Sequence, residues 1–277
     1  MNDYFVLRPA VLSTVLMVAT FVFVGLFGIY TLPLAGNVAE AKANPAGNGG
    51  FKVGASPLRR DKNIKVNMSA EDRQILQELA TEMNKVFDLP KDVYLSVNNC
   101  GVANAFYDPN AREIIMCTEL AKYFEHAFAK EFKDKEEAAD AVDDSTMFVF
   151  FHELGHALID IYDLPVTGRE EDAVDQLSTL IVADGSEEGA ASVFNGALSF
   201  AITDEGDLDE SAFWDEHSMG RQRFYNIICL LYGQNPKAHK DLVNEEVLPK
   251  ARAQRCPSEY QRTEKAWGTL LSPHMKN

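Results

Sequence analysis

The chain has 277 residues, enough for one substantial domain or two small lobes around an ample core. Its 42 Asp and Glu outnumber 26 Lys and Arg, a formal net charge of −16 that repels phosphate backbones and argues against nucleic acid as a partner. Four cysteines, Cys100, Cys117, Cys229 and Cys256, form an even set that permits two disulfides in an exported domain.

From Ala10 to Leu34 the sequence is almost wholly apolar and uncharged, long enough to cross a bilayer core of about 30 Å. Ala39-Glu40-Ala41 has the small-x-small form of a signal peptidase site, yet the apolar run exceeds the usual ~7 to 15 residues of a signal core. Residues 1–36 therefore read as a membrane anchor, with a cleaved signal peptide as the alternative. Either reading puts the remainder in the cell envelope or outside the cell. Residues 37–57, rich in Gly, Ala and Asn and without periodicity, read as a flexible linker, and 58–277 as the folded domain.

Ser69 opens a helix with Asp72 three residues on, a relative of the capping box, and Ile75, Leu76, Leu79, Met83 and Phe87 form its apolar stripe up to Pro90. The period then changes to that of strands. Val93, Leu95 and Val97 alternate, and segments 102–107 and 112–117 flank Asp108-Pro109-Asn110, which suits a type I hairpin turn. Pairing Tyr107 with Asn110 in that hairpin sets Cys100 opposite Cys117, so a cross-strand disulfide is expected there, and Cys229 with Cys256 by elimination. Helices follow over 118–132, about 145–162, 170–183, 187–201, about 211–232, 237–253 and 258–271. The fold class is α+β, mainly helical, with a small antiparallel sheet or hairpin ahead of the helical part.

The helix at 145–162 carries His152, Glu153 and His156 in an HExxH pattern between apolar flanks. Histidines four positions apart on a helix differ by about 40° in azimuth and about 6 Å in height, so both rings reach one point. That point suits a metal ion, and Glu153 sits where it can act on a metal-bound water. A catalytic Zn²⁺ usually takes three protein ligands and keeps the fourth position for water. Glu170, Glu171, Asp172 and Asp175 compete for the third place. A closed structural site, with Asp160 or Asp163 as a fourth ligand, is the non-catalytic alternative; a metal-dependent amidase acting on non-peptide amides is the other.

HELGH followed by an acidic helix resembles the gluzincin branch of the zinc metallopeptidases, and Glu171 with Asp175 matches that branch's ExxxD spacing. The segments CGVANAFYDPNAREIIMC, HELGHALIDIYDLPVTGREEDAVDQL and DEHSMGRQRFYNIICLLYG are similar to a bacterial family of proposed metallopeptidases of otherwise unknown function. The metzincin pattern would need Gly at 159 and His at 162, where this chain has Ile159 and Tyr162. The resemblance implies a zincin-like fold and zinc held by His152, His156 and Glu171. It also implies Glu153 as the catalytic base, Asp175 and Glu170 behind the ligands, and a peptide or protein substrate. Two further roles follow from the resemblance alone. Asn104 and Ala105 would hold an extended peptide through main-chain groups, and His217, near Asp215, would stabilise the oxyanion. His126, His239 and His274 carry no such context.

Overall fold

The computed structural model describes residues 47–60, 65–203 and 218–276. The apolar run 10–34, the small-x-small motif at 39–41, and Asp215 with His217 lie outside these residues. Among the described residues no helix is long and apolar enough to cross a membrane.

The described residues are mainly helical with one five-stranded sheet. Strands β1 (Phe51–Val53), β2 (Lys65–Val66), β3 (Val93–Asn99), β4 (Ala105–Asp108) and β5 (Glu113–Cys117) run in the order β1-β3-β5-β4, with β2 also pairing with β3. The sheet is mixed, which corrects the expected antiparallel one: β3 runs parallel to both β1 and β5, while β4–β5 and β2–β3 are antiparallel. β1 comes from within the expected linker. Gly47, Gly49 and Gly50 donate main-chain hydrogen bonds to Asp88, Leu89 and Asp92, and the Phe51 amide donates to Asn84 Oδ1, so a glycine-rich stretch is laid down as an added strand.

The hairpin register also differs from the expected one. Asp108 pairs with Glu113 and Ala105 with Met116, because the turn takes in Arg112, which adopts a left-handed conformation. Both disulfides nevertheless form as expected, Cys100–Cys117 and Cys229–Cys256. The first bridges the ends of the parallel neighbours β3 and β5, where Asn98 lies beside Cys117, and does not cross the hairpin.

Helix α1 (Ala70–Val86) begins at a complete capping box between Ser69 and Asp72 and packs on β1 and β3. α2 (Thr118–Glu131) leads into α3 (Lys135–Tyr162), which is longer than its apolar stretch predicts because Asp134 caps it eleven residues upstream of Ser145. From Ala141 to Gly155 every residue of α3 is buried, enclosed by α2, α4 (Glu170–Val182), α5 (Glu187–Thr203) and strands β4 and β5. A helix buried on every side needs that enclosure. Gly196 of α5 lets Phe148 of α3 approach so closely that a Cβ there would sit 2.5 Å from the ring. α6 (Gly220–Gln234) packs on α5, and α9 (Cys256–Leu271) packs on α6, after two single-turn helices, α7 (Asp241–Asn244) and α8 (Lys250–Ala253).

The sheet is pinned from beneath by a buried polar network. Glu113, fully buried, accepts from the Arg59 guanidinium, from Ser96 Oγ at 2.6 Å and from the Ser56 amide at 3.1 Å. Removing one partner of such a pair leaves a charge without compensation in a low-dielectric setting. Arg59→Met is expected to cost about 3–5 kcal/mol in urea unfolding; a loss under about 1 kcal/mol would show that the pair does not hold the segment of Ser56 and Arg59 to the sheet.

Candidate metal centre

α3 and α4 form an antiparallel hairpin, with contacts that climb one helix as they descend the other. Ser178 Oγ donates to the Phe148 carbonyl, Asp175 meets His152, Val174 meets Gly155, and Glu170 meets His156. Glu171, Val174, Asp175 and Ser178 fall on one face of α4 by their spacing, and that face turns to α3. Gly155 sets the separation. A Cβ there would lie 2.7 Å from Val174 Cγ1 and 2.8 Å from Val174 Cβ, closer than side chains approach.

With the helices this close, the Glu171 carboxylate lies across both imidazoles. Its Oε2 is 3.1 Å from His152 Nε2 and its Oε1 is 3.3 Å from His156 Nε2. The opposite ring nitrogens are taken: His152 Nδ1 lies 2.8 Å from Asp175 Oδ1, and His156 Nδ1 lies 2.7 Å from Glu170 Oε1. If each Nδ1 carries the proton, each Nε2 lone pair is directed at the space Glu171 borders.

This arrangement fits a metal. Ligands about 2.0–2.2 Å from a tetrahedral ion lie roughly 3.3 Å from one another, close to the separations above. The donor set, two imidazole nitrogens and a carboxylate, is one that Zn²⁺ accepts. The electrostatics agree. Burial opposes charge on His152, but its hydrogen bonds to the Asp175 and Glu171 carboxylates outweigh it and raise the pKa of the ring. His156, also opposed by burial, is raised to about 9 through Glu171 and Glu170. The carboxylates thus favour positive charge at the rings. Of the four competing acids, Glu171 is the one grouped with both histidines, while Asp175 and Glu170 stand behind the rings. Asp172 faces elsewhere, accepting from Ser218 Oγ at 2.8 Å. Asp160 and Asp163 are not in the group.

Asp175 has a second partner that motif reading missed. Arg223 of α6 donates through Nε to Oδ2 and through Nη2 to Oδ1, both at 2.8 Å, and its guanidinium stacks 3.5 Å above the Phe200 ring. Burial would raise the Asp175 pKa, but the Arg223 charge overcomes it and holds the carboxyl below its ordinary value. Arg223 lies 48 residues beyond Asp175, and no local pattern joins them.

Glu153 lies in the cleft beside the histidines. Burial pushes its carboxyl above the ordinary range, opposed by His152, His156 and a hydrogen bond from the Tyr107 main chain. The cleft, of about 970 Å³, runs between α3 and the edge strand β4 and reaches Leu120, Phe124, Val149 and Phe200. Asn104 is exposed and its carbonyl accepts from the Cys117 amide, so that main-chain group belongs to the sheet. Hydrogen-bonding alternates along an antiparallel edge, so Ala105 and Tyr107 turn their main-chain groups outward, towards the cleft. Tyr107 Oη donates to Asp160 Oδ2 at 2.7 Å.

A family model described as "Putative metallopeptidase" matches residues 56–271. No curated protein and no solved structure matches the chain.

Overpacking at the helix contact provides a test of this geometry. Gly155→Ala is expected to force α4 outward, costing about 1–3 kcal/mol and weakening metal affinity through Glu171. Thermal melts and competition against a chromogenic chelator would measure both, and parent-like affinity would show that the Gly155–Val174 contact does not position the ligand.

Proposed function

The chain belongs to the "Putative metallopeptidase" family, and from there we propose that it is a gluzincin-type zinc peptidase working in the cell envelope or outside the cell. The observation that carries this reading is the Glu171 carboxylate lying within 3.3 Å of both His152 and His156 Nε2, with the buried Glu153 beside them. The arrangement supports His152, His156 and Glu171 as the protein ligands. Bound zinc would supply Lewis acidity, lowering the pKa of water from about 15.7 toward ~7.

Glu153 takes the proton of the attacking water and returns it to the leaving nitrogen, which requires a carboxyl titrating above its free value. Its burial meets that need. Asp175 fixes the His152 tautomer, and Arg223 keeps Asp175 ionised so that it continues to accept from the ring. Glu170 does the same for His156 from a more exposed position. An extended substrate pairs with the edge of β4 as an added strand through the main-chain groups of Ala105 and the Tyr107 carbonyl, the Tyr107 amide being directed at Glu153. Asn104 contributes from the start of that strand through its exposed side chain. The long cleft beside a strand edge favours a peptide over a small amide. On the family resemblance alone, His217 is the proposed oxyanion donor. The two disulfides support an oxidising compartment.

Replacing the proposed base isolates the chemical step from metal binding. Glu153→Gln should bind one zinc per chain, by metal analysis after dialysis, while losing roughly 10²–10⁴-fold of its turnover on a fluorogenic peptide mixture. Turnover at the parental rate would remove Glu153 from the mechanism.

A further inference from the structure

Charge is divided unevenly along the chain. Residues 218–277 hold ten of the 26 Lys and Arg but five of the 42 Asp and Glu, a net +5 that leaves −21 on the remainder. Four of the exposed basic residues in this segment lie along α8 and α9, while Arg221, Lys237, Lys240 and Lys276 are exposed elsewhere, alongside Asp241, Glu245 and Glu246. Arg255, Arg262 and Lys265 are exposed and fall, with Ser258, on one side of the helix by their spacing; Lys250 is exposed on α8 just before them. Both acids of α9 have partners on the protein. Glu259 accepts from Arg252 at 2.7 Å and Glu264 from Tyr260 Oη at 3.3 Å. Trp267, Leu271 and Cys256 anchor the opposite side of the helix in the core.

The same end of the molecule receives the chain from its N-terminal side. Gly47 donates to Asp88 Oδ1 at 3.0 Å, the Asp88 amide donates to the His274 carbonyl at 2.9 Å, and Phe87 bridges to Met275. His274 follows directly on α9, so the first described residues lie beside the C-terminal end of the basic helix. Between the apolar run ending at Leu34 and Gly47 there are twelve residues, 35–46, which span at most about 40 Å fully extended.

We propose that the basic face of α8 and α9 rests on anionic lipid headgroups of the membrane that holds residues 10–34, so that the tethered domain is oriented as well as anchored. The inference rests on the reading of residues 10–34 as a membrane span. An anionic leaflet repels the −21 portion and attracts the +5 portion, so the field and the tether select the same end of the domain. Each basic side chain near an anionic surface is worth roughly a fivefold shift in partition, and four together hold an orientation that salt can release.

The test uses the full chain in lipid nanodiscs, with a donor dye on a single introduced cysteine and an acceptor on the lipids; the native cysteines are all in disulfides. Gln261→Cys reports from α9, and Gln77→Cys, exposed on α1, is the control. Replacing about a third of the phosphatidylcholine by phosphatidylglycerol should at least double energy transfer from position 261, with a smaller change at 77. Half-molar salt, or Arg255→Glu with Arg262→Glu and Lys265→Glu, should return it to the neutral-lipid value. Transfer at 261 that ignores lipid charge, or that rises equally at 77, overturns the docking alone. Failure of the chain to enter nanodiscs overturns the span and the docking together, and leaves the hydrolase reading standing.

Discussion

The candidate site depends on how closely two antiparallel helices approach. Gly155 on α3 takes the Val174 side chain of α4 where any larger residue would hold the helices apart, and Glu171 reaches both imidazoles because of that approach. Three further polar groups of the hairpin then find partners at the same level: Asp175 on His152, Glu170 on His156, Ser178 on the Phe148 carbonyl. Few of these groups could be buried singly, since an unpaired charge in a core costs several kcal/mol. Buried together, they offset one another.

That compensation extends beyond the hairpin. Asp175 is buried between a ring that needs its hydrogen bond and an arginine that neutralises it, so α6 belongs to the site although it offers no ligand in the described residues. α6 is in turn held to α9 by the Cys229–Cys256 bridge and by the close approach of Gly233 to the Cys256 carbonyl. The edge strand supplies the other wall. β4 turns its outer edge to α3, where the Tyr107 main chain donates to Glu153, and the Tyr107 hydroxyl ties the strand to Asp160 one turn beyond His156. Two elements distant in sequence thereby bracket the histidine pair, one fixing the rings and the other bordering the cleft.

Much of this was legible in the residues. Ser69 and Asp72 announce the first helix because a cap is a local pattern, and the HExxH spacing states its own geometry. The glycine-rich stretch 47–53 reads as a linker because a strand added by main-chain hydrogen bonds needs almost nothing from its side chains. The parallel pairing of β3 with β5 was hidden for a related reason: the hairpin between them drew attention to neighbours in sequence, while the sheet joined β5 back to β3. The left-handed Arg112 shifts the hairpin register that sets Cys100 opposite Cys117, yet the two cysteines meet because the ends of β3 and β5 are adjacent. Arg223 lay beyond any local rule, its partner fixed by the packing of α6 on α4 and α5.

The central claim concerns three side chains and one ion. Anomalous diffraction at the zinc edge from zinc-loaded crystals tests it most directly. The account predicts a single peak per chain within about 2.0–2.2 Å of His152 Nε2, His156 Nε2 and a Glu171 oxygen, with the remaining position open to solvent. A peak held by Glu170 or Asp175 in place of Glu171, or a fourth protein ligand closing the site, would contradict it.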